Sequence, residues 1–193
     1  MTAVINEGFV GDAIGTLQSR YRPVEVEQTT IDVPASDFDE YVENARDGYV
    51  GGAYAWVMRR QEEAGYPSKS YDGGVVDGEQ ALLILPRGRT EWGLPGGGVE
   101  NDETYERAVR REVLEETGVG CEVTGLWHLH RRRWQSEDPA DDRETDTLYP
   151  FFDADYVGGS ISVQAGEVDG AAWFAEPPSP LMDATERRAN TFF

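Results

Sequence analysis

The run RREVLEETG, from Arg110 to Gly118, sets three carboxylates, Glu112, Glu115 and Glu116, at offsets of three and four residues. On a helix, residues at those offsets share one face. Like charges so spaced destabilise a helix by roughly 0.2–0.5 kcal/mol per pair, and this chain already has a formal net charge of -20. Crowded carboxylates stay ionised when a cation sits among them; without one, mutual repulsion raises their pKa values. A hard divalent ion with oxygen ligands meets that need, so Mg2+ or Mn2+ is expected. Mg2+ takes few carboxylates and keeps positions open for water and phosphate oxygens, which describes an open site rather than a closed structural cage. The competing explanation is an exposed helix face carrying intrahelical pairs such as Arg111–Glu115 or Glu103–Arg107.

The spacing predicts a helix over ETYERAVRREVLEET, capped by Asp102 and stopped by Gly118. Tyr105, Ala108, Val109 and Val113 supply its apolar face. WGLPGGGVENDE before it reads as a loop. Upstream, GAYAWVMRR and EQALLILPRG read as strands flanking a glycine-rich polar loop, QEEAGYPSKSYDGGVVDG. Downstream, GCEVTGLWHLHRRRW reads as one strand or two, followed by the acidic loop SEDPADDRETD. TLYPFFDADYV, SISVQAG and AAWFAE are short strands or strand ends, and LMDATERRANTFF is a terminal helix. Near the N-terminus, PVEVEQTTIDVP alternates as a strand, and SDFDEYVENARDG is a short helix with Ser36 as N-cap and Gly48 as stop. Strands with one central helix and a later one predict an α+β chain rather than a doubly wound sheet.

Gly97, Glu103, Arg111-Glu112-Val113, Glu115-Glu116 and Gly118-Val119 together follow G-x5-E-x7-R-E-U-x-E-E-x-G-U, with U a bulky aliphatic residue. This resembles the Nudix box, the signature of the Nudix hydrolases, at every defined position. The resemblance implies an α/β/α sandwich with a mixed sheet and a catalytic loop-helix-loop. It also implies hydrolysis of a nucleoside diphosphate linked to another moiety, by attack of water at phosphorus. Glu112, Glu115 and Glu116 look like metal ligands, with Glu112 also a candidate general base and Arg111 holding a glutamate by a charge-assisted hydrogen bond. Glu103 would act behind the ligands or through water, and the Gly96 carbonyl would complete the coordination. GEVDGAAWF resembles the segment where several members place a further metal-binding glutamate shortly before a tryptophan; here that is Glu167, ahead of Trp173. The likeness implies a Nudix domain over residues 48–176, an N-terminal extension over 1–47 and a helical tail over 177–193.

RRRW, from Arg131 to Trp134, is the densest basic spot on the chain. Arg131 and Arg132 could receive a distal phosphate while Trp134 stacks on a base; the alternative is pairing with the acidic loop that follows, which holds six acids between Glu137 and Asp146. His128 and His130 form an H-x-H pair without an evident third or fourth zinc ligand. Cys121, the only cysteine, reads as a buried strand residue.

Composition narrows the classes. At 39% hydrophobic and 11% aromatic, the chain can build a core. No apolar run reaches membrane-spanning length, and the N-terminus lacks the pattern of a secretory signal, so neither a membrane nor export is expected. A lone cysteine suits the cytoplasm. Acids number 37 against 17 bases, with Lys69 the only lysine, which argues against nucleic-acid binding and points to a halophilic source whose proteins work in molar salt. A high-GC genome would also favour Arg over Lys. The extension is expected to pack on the core or to form the edge of a homodimer. Nucleoside triphosphates, ADP-ribose and dinucleoside polyphosphates are all open as substrates. A non-catalytic Nudix-like nucleotide sensor and a prenyl diphosphate isomerase are the competing classes; the intact box disfavours both.

Overall fold

The computed structural model describes residues 3–60, 78–100, 103–163 and 166–192. In chain order its elements are β1 (Ala3–Val4), α1 (Glu7–Arg20), β2 (Val26–Val33), α2 (Phe38–Arg46), β3 (Gly52–Arg60), β4 (Glu79–Pro86), β5 (Gly96–Gly98), α3 (Tyr105–Thr117), β6 (Val119–Ser136), β7 (Arg143–Gly159), β8 (Val168–Phe174) and α4 (Asp183–Phe192). Both parallel and antiparallel pairings occur, so the sheet is mixed and the chain is of the α+β class. The chain divides into two compact units, Met1–Ala53 with Gly98–Ala108 and Gly125–Phe151, and Tyr54–Gly97 with Val109–Thr124 and Phe152–Phe193.

In the first unit, β2 runs parallel to β6 from Val26 opposite Leu129 to Val33 opposite Ser136. β1 runs parallel to the start of β7, with Ala3 opposite Arg143. Asn6 prolongs that ladder with its side chain: Nδ2 donates to the Asp146 carbonyl and Oδ1 accepts the Asp146 N–H, both at 2.8 Å. The amide thus imitates one more strand residue before α1 begins. Helix α1 was not expected from the sequence, because Gly8, Gly11 and Gly15 each cost about 1 kcal/mol of helix propensity relative to Ala. It forms by tertiary anchoring, with Val10 and Leu17, two turns apart, both buried. Helix α2 buries Phe38 and Val42 against Val33, with Ile5, Tyr41 and Trp134 packed around them. Its expected cap is corrected: Asp37 occupies the N-cap, without a side-chain cap bond, and the Ser36 hydroxyl donates to the Asp37 carboxylate instead.

In the second unit, β4 pairs antiparallel with β3 and with β8. Ala81 to Ile84 are consecutively buried, as a strand covered on both faces requires. Trp56 of β3, fully buried, meets Phe192 of α4 with ring centroids 5.7 Å apart.

Three further expectations need correction. The loop before α3 contains the short strand β5, whose neighbour Pro95 accepts a hydrogen bond from Ala55. The acidic loop is shorter than its composition suggested, since β7 already begins at Arg143. Residues 160–163 are not a strand; Ser162 N–H donates to the Thr117 carbonyl at the end of α3. The polar loop expected over 61–78 falls, except for Gly78, outside the described residues, as does the Asp102 cap. Among the described residues no helix is long and apolar enough to cross a membrane.

Candidate active site

The apolar stripe of α3 decides which glutamates are buried. Val109 and Val113 are fully buried, and Glu116 continues their row at offsets of seven and three, so it is drawn inward to 8% exposure. Its Oε2 accepts the Gly96 N–H at 2.8 Å. Burial pushes the Glu116 carboxyl up to about 7; the Gly96 hydrogen bond opposes this, while repulsion from Glu112 and Glu167 adds to it. Glu112 is also raised, mainly by burial, with Arg111 opposing and Glu115 and Glu167 adding. The charge of Glu167 therefore acts on both the buried Glu116 and the partly buried Glu112.

Arg111 organises two of the acids. Its Nη1 donates to Glu112 Oε1 at 2.9 Å and to Glu115 Oε2 at 3.1 Å. Glu115 is half exposed, whereas Glu112 is mostly covered. The glycines before the helix have a steric purpose. A Cβ on Gly97 would lie 2.5 Å from the carboxyl carbon of Glu112, and Gly96 has φ +145, a region natural to glycine. At the helix end Gly118 has φ +72, and a Cβ there would lie 2.7 Å from the Ser160 carbonyl oxygen.

Within the second unit Glu112 and Glu116 thus stand beside Gly97 and Gly96 with the Arg111–Glu115 pair, and Glu167 is near enough to repel both. Glu103 belongs to the first unit, where its N–H donates to the Glu100 carbonyl and its carboxylate accepts the Glu100 N–H in the turn before α3. Among the described residues, no three His, Cys, Asp or Glu side chains are grouped as a ready-made metal cage. The donor chemistry nevertheless fits a hard divalent ion: carboxylates whose ionised forms repel one another, bordered by backbone at Gly96, with one further glutamate exposed.

The basic cluster has a different setting. Arg131 and Arg133, two apart on β6, both hold Asp146, whose side chain is completely buried. Arg132 lies over the Tyr149 ring at 4.6 Å. Trp134 donates from Nε1 to Thr147 Oγ1 at 2.8 Å and packs on Tyr41 at 4.8 Å between centroids. Sequence reading did not single out Asp146, because one acid within an acidic run looks solvated; the available signal was the two-residue spacing of Arg131 and Arg133, which shares a strand face. His128 pairs with Glu27 at 3.3 Å and His130 with Thr29 at 2.8 Å. Cys121 is buried, and burial pushes its thiol up to about 11.

A model of the NUDIX domain matches residues 61–189. The chain is 36% identical over 139 residues to the putative mutator protein MutT4 of Mycobacterium tuberculosis, covering 68% of this chain and 54% of that one. It is 41% identical over 78 residues to the NAD-capped RNA hydrolase NudC of Pasteurella multocida, covering 40% of this chain and 26% of that one. The chain thus spans about half, or less, of the length of these curated relatives. The crystal structure of a MutT NUDIX hydrolase from Burkholderia pseudomallei superposes with a TM-score of 0.50 at 26% identity, over 74% of this chain and 96% of that one. The chain belongs to the NUDIX family, and its mixed sheet with helices is the Nudix fold.

Proposed function

We propose that the protein is a divalent-metal-dependent pyrophosphohydrolase that cleaves the P–O–P linkage of a nucleoside diphosphate derivative. One observation carries this reading: two covered carboxylates, Glu112 and Glu116, held beside Gly96 and Gly97 and repelling each other and Glu167. Family membership supports it. Glu112, Glu116 and Glu167, with the half-exposed Glu115 and the Gly96 carbonyl, would hold Mg2+ or Mn2+. When bound, such an ion neutralises phosphate oxygens and makes the anhydride open to attack. Glu112 takes the proton of the attacking water, and Arg111 fixes its carboxylate in position. One phosphorus–oxygen bond forms, the anhydride bond breaks, and two phosphate-bearing products leave. Arg132 and Trp134 are assigned to the substrate, and Glu103 to ordering the turn before α3. Arg131, whose guanidinium pairs with the buried Asp146, is assigned to holding that acid rather than to the substrate.

The substrate class covers nucleoside triphosphates, ADP-ribose and dinucleoside polyphosphates, to which the name of the NudC relative adds NAD-capped RNA. The work is assigned to a cytoplasm rich in salt, on the strength of the lone cysteine and the charge of -20. The test is hydrolysis of such a panel in molar KCl with and without Mg2+, alongside Glu116→Gln. The variant is expected to fold and to lose at least ~100-fold in kcat, about 2.7 kcal/mol of transition-state stabilisation. No hydrolysis of any diphosphate, or wild-type turnover by the variant in saturating Mg2+, would contradict the reading.

A further inference from the structure

The N-terminal part of the chain, for which the box offers no task, supplies part of the lining of two adjoining cavities of the first unit. The inner one, about 200 Å³, is walled by Tyr41, Tyr49, Trp134 and Tyr149, with Asn44 and Thr147 among its polar lining. The outer one, about 460 Å³, shares Asn44 and Tyr49 with it and adds Asp47, Val99 and Glu100. The larger volume falls in the range of roughly 300–1,000 Å³ typical of small-molecule sites.

The walls are held in place. Trp134 is tied to Thr147 by its indole N–H at 2.8 Å and backed by Tyr41. Arg132 covers the Tyr149 ring at 4.6 Å. The chain leaves α2 through Gly48, at φ +91, and the Tyr49 N–H donates to the Asn44 carbonyl at 2.9 Å, which fixes the segment bearing both side chains. Such a lining suits a flat ring with polar edges. Aromatic faces stack on any heteroaromatic ring, and a primary amide both donates and accepts at its edge. Carboxylates such as Asp47 and Glu100 accept hydrogen bonds from sugar hydroxyls, and they repel a bare phosphate. Val99 and Glu100 directly follow the Gly96–Gly98 strand in sequence.

We propose that these cavities form a nucleoside pocket to which the N-terminal extension contributes Tyr41, Asn44 and Asp47. A nucleobase stacks among Tyr41, Tyr49, Trp134 and Tyr149 with its edge at Asn44, and the ribose hydroxyls meet Asp47 and Glu100. The proposal rests on the nucleotide class assigned above.

The test titrates the full chain with methylene-bridged, non-hydrolysable nucleoside 5′-diphosphates of the four common bases, and with methylenediphosphonate, by calorimetry in molar KCl with Mg2+. At least one nucleoside analogue is expected to bind more tightly than methylenediphosphonate. Tyr49→Ala and Asn44→Leu, both at exposed positions, are each expected to weaken that analogue by about tenfold or more and to leave methylenediphosphonate unchanged. Wild-type affinity in both variants, equal weakening of both ligands, or no preference of the wild type for any nucleoside analogue would overturn the pocket. Hydrolysis of unmodified nucleotides is scored separately, so an inactive protein that binds nucleosides counts against the catalytic reading alone, and an active one without base preference against the pocket alone.

Discussion

Glu116 shows how one side chain can carry a conflict that only a ligand resolves. Its place on the buried row of α3 raises its carboxyl from an ordinary 4.5 to about 7. Between those values the folded protein holds a proton that the unfolded chain has released, so metal-free stability falls as pH rises from 4.5 through 7. The shift corresponds to ~3 kcal/mol across the window. Urea unfolding of the metal-free protein at pH 5 and pH 7.5 should show this loss, and Glu116→Gln should remove most of it. A loss equally large in the variant would place the titrating group elsewhere. The residues of the box were legible because their order and spacing are local. What they touch was not: the Gly96 hydrogen bond to Glu116 and the influence of Glu167 on Glu112 and Glu116 depend on chain segments far apart in sequence.

At the scale of elements, strands β3 and β4 and helix α3 could be read from periodicity and composition, since each is set by its own apolar pattern. Helix α1 could not, because its glycines conceal two buried anchors. Nor could the start of β7, whose charged residues from Arg143 look like loop until Glu144 and Asp146 pair with the arginines of β6. Asn6 is the joint of this arrangement. Asn6→Ala leaves the Asp146 N–H and carbonyl unpaired in a buried place, which should cost about 2 kcal/mol in urea unfolding. A change below about 0.5 kcal/mol would mean that water replaces the amide and that α1 is anchored by its apolar side chains alone.

The whole molecule carries a net charge of -20, with acids on both units. Self-repulsion on that scale weakens with salt, because the Debye length falls from about 10 Å at 0.1 M to about 3 Å at 1 M. The melting temperature should therefore climb steeply with KCl, and a flat or falling trend would remove the case for a molar-salt setting while leaving the chemistry untouched.

That chemistry rests on water attacking phosphorus in a diphosphate held at the α3 carboxylates. It is tested most directly by running the reaction in 18O-labelled water, with whichever nucleoside diphosphate derivative is turned over, and locating the label by mass spectrometry. One 18O atom is expected on a phosphate product and none in the organic moiety. Label on carbon would contradict it.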